Sequence, residues 1–138
     1  MTSRDEREAL ERFRDRYATT ANDAAAAIEQ QVLGAAWGAN GYTTVDQADE
    51  LARRLALRPD HLLLDVGTGR GWPGLYLAAR TGCRLVGADM PLDGLRAAMV
   101  QAGHQRLRPQ VAMVAASAAN LPFRRQAFDA IVHTDVLC

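Results

Sequence analysis

An α/β fold built on a doubly wound parallel sheet is predicted by three features of the sequence. Short apolar segments alternate with stretches of ten or more residues that carry helical periodicity, the pattern of parallel strands joined by crossover helices. One of these segments, Leu62, Leu63, Leu64 and Val66, is nearly continuous, as expected of a strand buried on both faces. It runs into Gly67, Gly69 and Gly71, and Pro73 then leads into Leu75, Tyr76, Leu77, Ala78 and Ala79, which suit a helix. Strand, glycine turn and helix in that order let a ligand lie against bare backbone at a helix N-terminus.

The elements follow in chain order. Residues 3–17 place Leu10, Phe13 and Tyr17 at helical spacing, and Arg4 with Glu8, Arg7 with Glu11 and Glu8 with Arg12 can pair one turn apart. This amphipathic helix either docks its three apolar side chains on the body or serves as a lid over a ligand. Asn22 is the expected N-cap of a second helix running to Ala36, with Ile28, Val32 and Ala35 on one face. Residues 37–44 have turn chemistry, and their aromatics, Trp37 and Tyr42, either pack against the helices or line a ligand pocket. Thr44 caps a third helix with Val45, Leu51, Leu55 and Leu57 apolar, ending before Pro59. Beyond the central strand and helix, Arg84 to Asp89 is a second strand, Pro91 to Gln105 a helix with Leu92, Leu95, Met99 and Ala102 on one face, and Val111 to Ala115 a third strand. A polar loop then leads to a fourth strand, Phe128 to Val132. Residues 1–44 are expected to form a helical extension and a possible lid, and residues 45–138 the sheet domain, with no flexible linker between them.

Composition narrows the function. A chain of 138 residues suits one domain and needs no disulfide to fold, since a domain of this size buries roughly 68–70% of its unfolded surface. Sixteen basic residues, all arginine, balance sixteen acids, which argues against a nucleic-acid groove or an anionic membrane as the main partner. Cys83 and Cys138 have neither metal-ligand spacing nor a disulfide framework, so no metal is expected and a reducing cytoplasm is the expected compartment. The charged N-terminus has no apolar core for a signal peptide, and no run approaches the roughly 18 apolar residues of a membrane span. A soluble protein is expected.

In open α/β sheets, ligands bind beyond the carboxyl ends of the strands. Those ends carry Asp65 to Gly71, Asp89 with Met90, Ser117 with Ala118, and His133 to Asp135. An acid ending the second strand, about twenty residues after the glycine turn, can accept two hydrogen bonds from a ribose diol, which points to a nucleoside cofactor. Gly69 to Gly74 also satisfies the dinucleotide pattern GxGxxG, a weak signal that keeps a nicotinamide or flavin cofactor open. Asp65 favours another ligand: an acid just before the glycines attracts an ammonium group and repels a pyrophosphate.

The run Leu64-Asp65-Val66-Gly67-Thr68-Gly69-Arg70-Gly71, then Asp89, then Ser117 to Phe123 with Phe128-Asp129, resembles the class I S-adenosylmethionine-dependent methyltransferases of the small-molecule type, over about residues 45–138. The resemblance implies a Rossmann-like sheet, S-adenosylmethionine as cofactor and a small-molecule methyl acceptor. It implies that Gly67, Thr68, Gly69 and Gly71 shape the loop around the methionine part, with Asp65 recognising its amino group through water. It further implies that Asp89 holds the ribose hydroxyls, Met90 lies against the adenine, and Ala118 offers its backbone N–H to it. Ser117 stands where the family usually has an aspartate that accepts from the exocyclic amine, and as a neutral acceptor it contributes less. Asp89 has the alternative role of capping the next helix, and Asp129 that of a structural turn residue. His133 and Asp135 are weak candidates for a catalytic base, and a satisfied buried histidine is the simpler reading of His133. Tyr17, Trp37 and Tyr42 are placed to close over the site.

Relatives of this type set the fourth strand centrally and continue beyond it, whereas the sequence stops at Cys138. The expectation is an N-terminal half of the fold, truncated after strand four. That strand is then an open apolar edge, which recruits another chain or aggregates unless covered. A truncated, cofactor-binding chain and a complete small protein that pairs as a homodimer or with a second-half chain are both compatible with the pattern, as is a non-catalytic interaction module.

Overall fold

The computed structural model describes residues 4–19, 23–33, 36–38 and 43–134. Helices α1 (Arg4–Thr19), α2 (Asp23–Leu33) and α3 (Val45–Arg54) precede the sheet. Strand β1 (Leu62–Val66), helix α4 (Gly74–Thr81), strand β2 (Arg84–Asp89), helix α5 (Leu92–His104), a 3-10 turn over Arg108–Gln110 and strands β3 (Val111–Ala115) and β4 (Ala130–His133) follow.

The four strands are parallel in the order β3-β2-β1-β4, with Leu64 of β1 opposite Val86 of β2 and Ile131 of β4. Strand alternation divides the core into two layers. On one face Leu63, Leu85, Val111 and Val132 pack with Leu75 and Leu77 of α4, Ala98 and Ala102 of α5, and Ala48 of α3. On the other, Leu64, Val66 and Ala88 are covered by Leu121, Phe123 and Phe128 from the β3–β4 connection, with Phe123 and Phe128 edge to face at 4.9 Å. β4 is an edge strand among the described residues, and its Ile131 is 56% exposed on that second face.

Helix α3 starts where its sequence asks it to. The Thr44 hydroxyl accepts from the Gln47 N–H at 3.2 Å while the Gln47 side chain accepts from the Thr44 N–H at 2.8 Å, so two otherwise unpaired donors are satisfied reciprocally.

Two expectations need correction. β4 begins at Ala130, two residues later than expected, because Phe128 turns into the second core and Asp129 is used as a bridge. The Asp129 carboxylate accepts from the Leu62 N–H at 2.7 Å and its own N–H donates to the Leu62 carbonyl. The apolar face of α2 is open, with Ile28 62% and Val32 73% exposed, and Ala36, the expected last residue of that helix, is not helical. Helix α1 packs against α5, with Phe13 partly exposed at 41%. Asn22, Ala35, Tyr42, Asp135 and Cys138, and the side chain of Tyr17, lie outside the described residues. No helix among the described residues is long and apolar enough to cross a membrane, and no cluster of three or more metal-ligating side chains occurs among them.

Candidate functional site

The parallel sheet brings the ends of β1 and β2 side by side, and the glycine loop rises between them. The Gly67 and Thr68 N–H groups both donate to the Ala88 carbonyl, at 2.8 and 3.2 Å, which holds the start of the loop against the end of β2. The Asp89 carboxylate then takes the Gly69 N–H on one oxygen and the Met90 N–H on the other, each at 2.7 Å. Asp89 is half-buried, and burial pushes its pKa up while these two N–H bonds pull it down. It spans the loop and its own strand end, and α5 follows Pro91 without a side-chain cap.

Asp65 is more deeply placed, at 1% exposure. Its Oδ2 accepts from the Thr68 hydroxyl at 2.8 Å and from the Gly74 N–H at the start of α4 at 3.1 Å, while its Oδ1 is buried without a protein partner. Burial raises its pKa to about 7, the two hydrogen bonds oppose that rise, and the Asp89 carboxylate adds to it. Two glycines make this geometry possible. A side chain at Gly74 would put its Cβ 2.6 Å from Asp65 Oδ2, and Gly71, at φ +102, has no room for a Cβ beside the Leu75 side chain.

At the end of β3, Ser117 closes a short turn. Its hydroxyl accepts from the Ala119 N–H at 3.2 Å and its carbonyl from the Asn120 N–H at 2.9 Å, with Ala118 exposed at the apex. Part of the accepting capacity expected of the Ser117 hydroxyl is therefore taken up locally. His133 pairs with Val66 across β1 and β4 and is exposed, which corrects the buried, satisfied histidine. Among the described residues β4 has a neighbouring strand on one side only, which leaves the end of the strand open.

Trp37 is buried, meeting Tyr76 edge to face at 5.4 Å, so it belongs to the helical core and not to an open pocket lining. The residue that went unnoticed in the sequence is Trp72, inside the glycine segment. It is 4% exposed and donates its indole N–H to the Thr43 carbonyl at 2.9 Å. A tryptophan in an otherwise small-residue loop was the available signal. A cavity of about 660 Å³ lies apart from the glycine loop, between α3 and the end of β4, lined by Thr43, Asp46, Gln47, Glu50, Leu51, Arg54 and Thr134.

Residues 63–138, more than half of the chain, match the family profile described as "Methyltransferase domain". The methyltransferase GfsG of Streptomyces halstedii is 34% identical over 83 residues, covering 60% of this chain and 30% of that protein. Among solved structures, the [4+2]-cyclase SpnF is 30% identical with a TM-score of 0.59, over 62% of this chain and 32% of that one. The geranyl diphosphate C-methyltransferase of Streptomyces coelicolor A3(2), solved with Mg2+, geranyl diphosphate and S-adenosyl-L-homocysteine, is 26% identical with a TM-score of 0.59, over 64% and 33% respectively. The chain thus spans about a third of the length of these relatives. With the glycine loop, the two strand-end acids and the profile match in the same stretch, the chain belongs to the class I S-adenosylmethionine-dependent methyltransferase family.

Proposed function

We propose that this chain is the cofactor-binding part of an S-adenosylmethionine-dependent methyltransferase that acts on a small-molecule acceptor in the cytoplasm. The observation that carries this reading is the pair of carboxylates, Asp65 and Asp89, at the ends of adjacent strands with the glycine loop held between them. Both acids have acceptor capacity to spare. Asp65 Oδ1 is buried and unpartnered, which suits the ammonium of a methionine moiety, directly or through water. Each Asp89 oxygen accepts one N–H and retains a lone pair for a ribose hydroxyl. Gly67, Thr68, Gly69 and Gly71 shape the methionine side, Met90 lies against the adenine, and the backbone N–H of Ala118, with the Ser117 hydroxyl, serves the adenine edge.

S-adenosylmethionine supplies a methyl group already activated on a sulfonium. The chain's share of the work is to hold, orient and keep water out. Alignment alone provides effective molarities of ~10⁵–10⁸ M, and a general base adds to this only when the acceptor atom carries a proton to be lost. His133, exposed at the end of β4, and Asp135 are the candidates for that base. The zero formal charge and the relative solved with geranyl diphosphate support a small-molecule acceptor over a nucleic acid. A second reading, cofactor binding without methyl transfer, is favoured by the 30% identity to a cyclase.

Calorimetric titration with S-adenosylhomocysteine and with NAD tests the proposal. S-adenosylhomocysteine should bind more tightly than NAD, and Asp89→Ala should weaken it tenfold or more, since a hydrogen bond to a charged acceptor contributes ~1.5–3 kcal/mol. Tighter binding of NAD overturns the reading.

A further inference from the structure

The glycine segment and the start of α3 are 29 residues apart in sequence and are joined through one side chain. Trp72 follows Gly71 directly and passes its indole N–H to the carbonyl of Thr43, the residue before the capping box that starts α3. Its ring lies 5.5 Å from Tyr76, whose hydroxyl donates to Asp49 of α3 at 2.7 Å, and Tyr76 in turn meets Trp37. Gly38, at φ +72, approaches Arg70, two positions before Trp72, so closely that a Cβ on Gly38 would stand 3.3 Å from the Arg70 Cβ. The Ala36 carbonyl beside it accepts from the Gln101 side chain of α5. Thr43, just ahead of α3, is therefore bonded to, and Gly38 packed close against, the same loop whose other side is gripped by Asp89 at Gly69.

We propose that Trp72 is a positioning residue that couples the cofactor loop to α3, through its bond to the Thr43 carbonyl and its tilted ring contact with Tyr76. The inference rests on the loop binding the cofactor. A ligand that fixes the loop by way of Asp89 and the glycines also fixes the indole, and so holds Thr43 and the start of α3. Linkage makes the effect reciprocal: holding Thr43 favours the loop shape that binds the ligand. The Thr43, Asp46 and Gln47 wall of the cavity beside Thr134 is then set in place by occupancy of the cofactor site.

The test is amide hydrogen exchange of the whole chain with and without S-adenosylhomocysteine, in the wild type and in Trp72→Phe, which keeps an aromatic ring and removes the N–H. In the wild type the ligand should slow exchange across residues 43–54. In Trp72→Phe that protection should disappear while protection of residues 67–71 persists, and affinity should fall about fivefold, the worth of one neutral hydrogen bond. Absence of ligand protection over residues 43–54 in a wild type that binds S-adenosylhomocysteine overturns the coupling, as does undiminished protection in the variant. A wild type that does not bind the ligand at all overturns the functional reading instead. If Trp72→Phe fails to fold, Trp37→Phe leaves Trp72 as the sole tryptophan, the chain having two. Its emission should then shift on adding the ligand, and a constant emission at saturation overturns the proposal.

Discussion

Protonation of Asp65 should move stability and cofactor affinity in opposite directions. In the native chain the group is buried, with its pKa raised from the ordinary aspartate value of 3.8 to about 7. Between these two values the folded chain holds a proton that the unfolded chain has released. Stability contributed by this group is thus present below about pH 4, falls as pH rises, and is fully lost above about pH 7. The difference corresponds to roughly 4 kcal/mol in all, and to about 1.4 kcal/mol per pH unit inside the window. Binding of the methionine ammonium requires the charged form, so affinity for S-adenosylhomocysteine should tighten up to tenfold per pH unit toward pH 7 and level off above it. Thr68 and Gly74 donate to Asp65 and oppose the rise, while burial and the neighbouring Asp89 charge favour its proton. Urea denaturation and calorimetry from pH 5 to 8, on the wild type and on Asp65→Asn, read both slopes. The asparagine variant should lose the affinity slope, and wild-type stability should fall relative to it as pH rises. A pH-independent affinity in the wild type, or a stability difference that grows in the wild type's favour with pH, would refute the reasoning.

Three substitutions probe the supports of the site. Gly74→Ala forces a methyl group within 2.6 Å of Asp65 Oδ2 and 3.0 Å of the Leu85 side chain, and should cost about 1–3 kcal/mol of stability in chemical denaturation. Asp129→Ala removes the acceptor for the Leu62 N–H at an exposed position, and should cost about 0.5–1.5 kcal/mol while leaving affinity for S-adenosylhomocysteine unchanged by calorimetry. Ser117→Asp restores a charged acceptor at the end of β3 and should tighten that affinity about fivefold, a gain of ~1 kcal/mol, with no improvement counting against Ser117 as an adenine contact.

Local rules accounted for much of the fold. β1, β2 and β3 fall on the apolar segments that marked them, and Thr44 caps α3 as its residue type and position suggest. Where local rules failed, the deciding partner was distant or absent. Phe128 looked like the first residue of β4, but its place is set by Phe123 and by the bond that Asp129 makes to Leu62, 67 residues away. The periodicity of Ile28 and Val32 defined a helix face without defining anything for it to face. The site was legible as an order of motifs, since Asp65, the glycines and Asp89 each sit at a strand end fixed by short-range pattern. Neither the joint grip of Asp89 on Gly69 and Met90 nor the reach of Trp72 to Thr43 could be read there, because both depend on how strands and loop meet in space.

The most direct test of the central claim is a crystal structure of the chain with S-adenosylhomocysteine. The account predicts both ribose hydroxyls within hydrogen-bonding distance of the Asp89 carboxylate, and the methionine amino group bound to Asp65 Oδ1 directly or through one water. A ligand seated away from the glycine loop, or one whose ribose leaves Asp89 untouched, would contradict it.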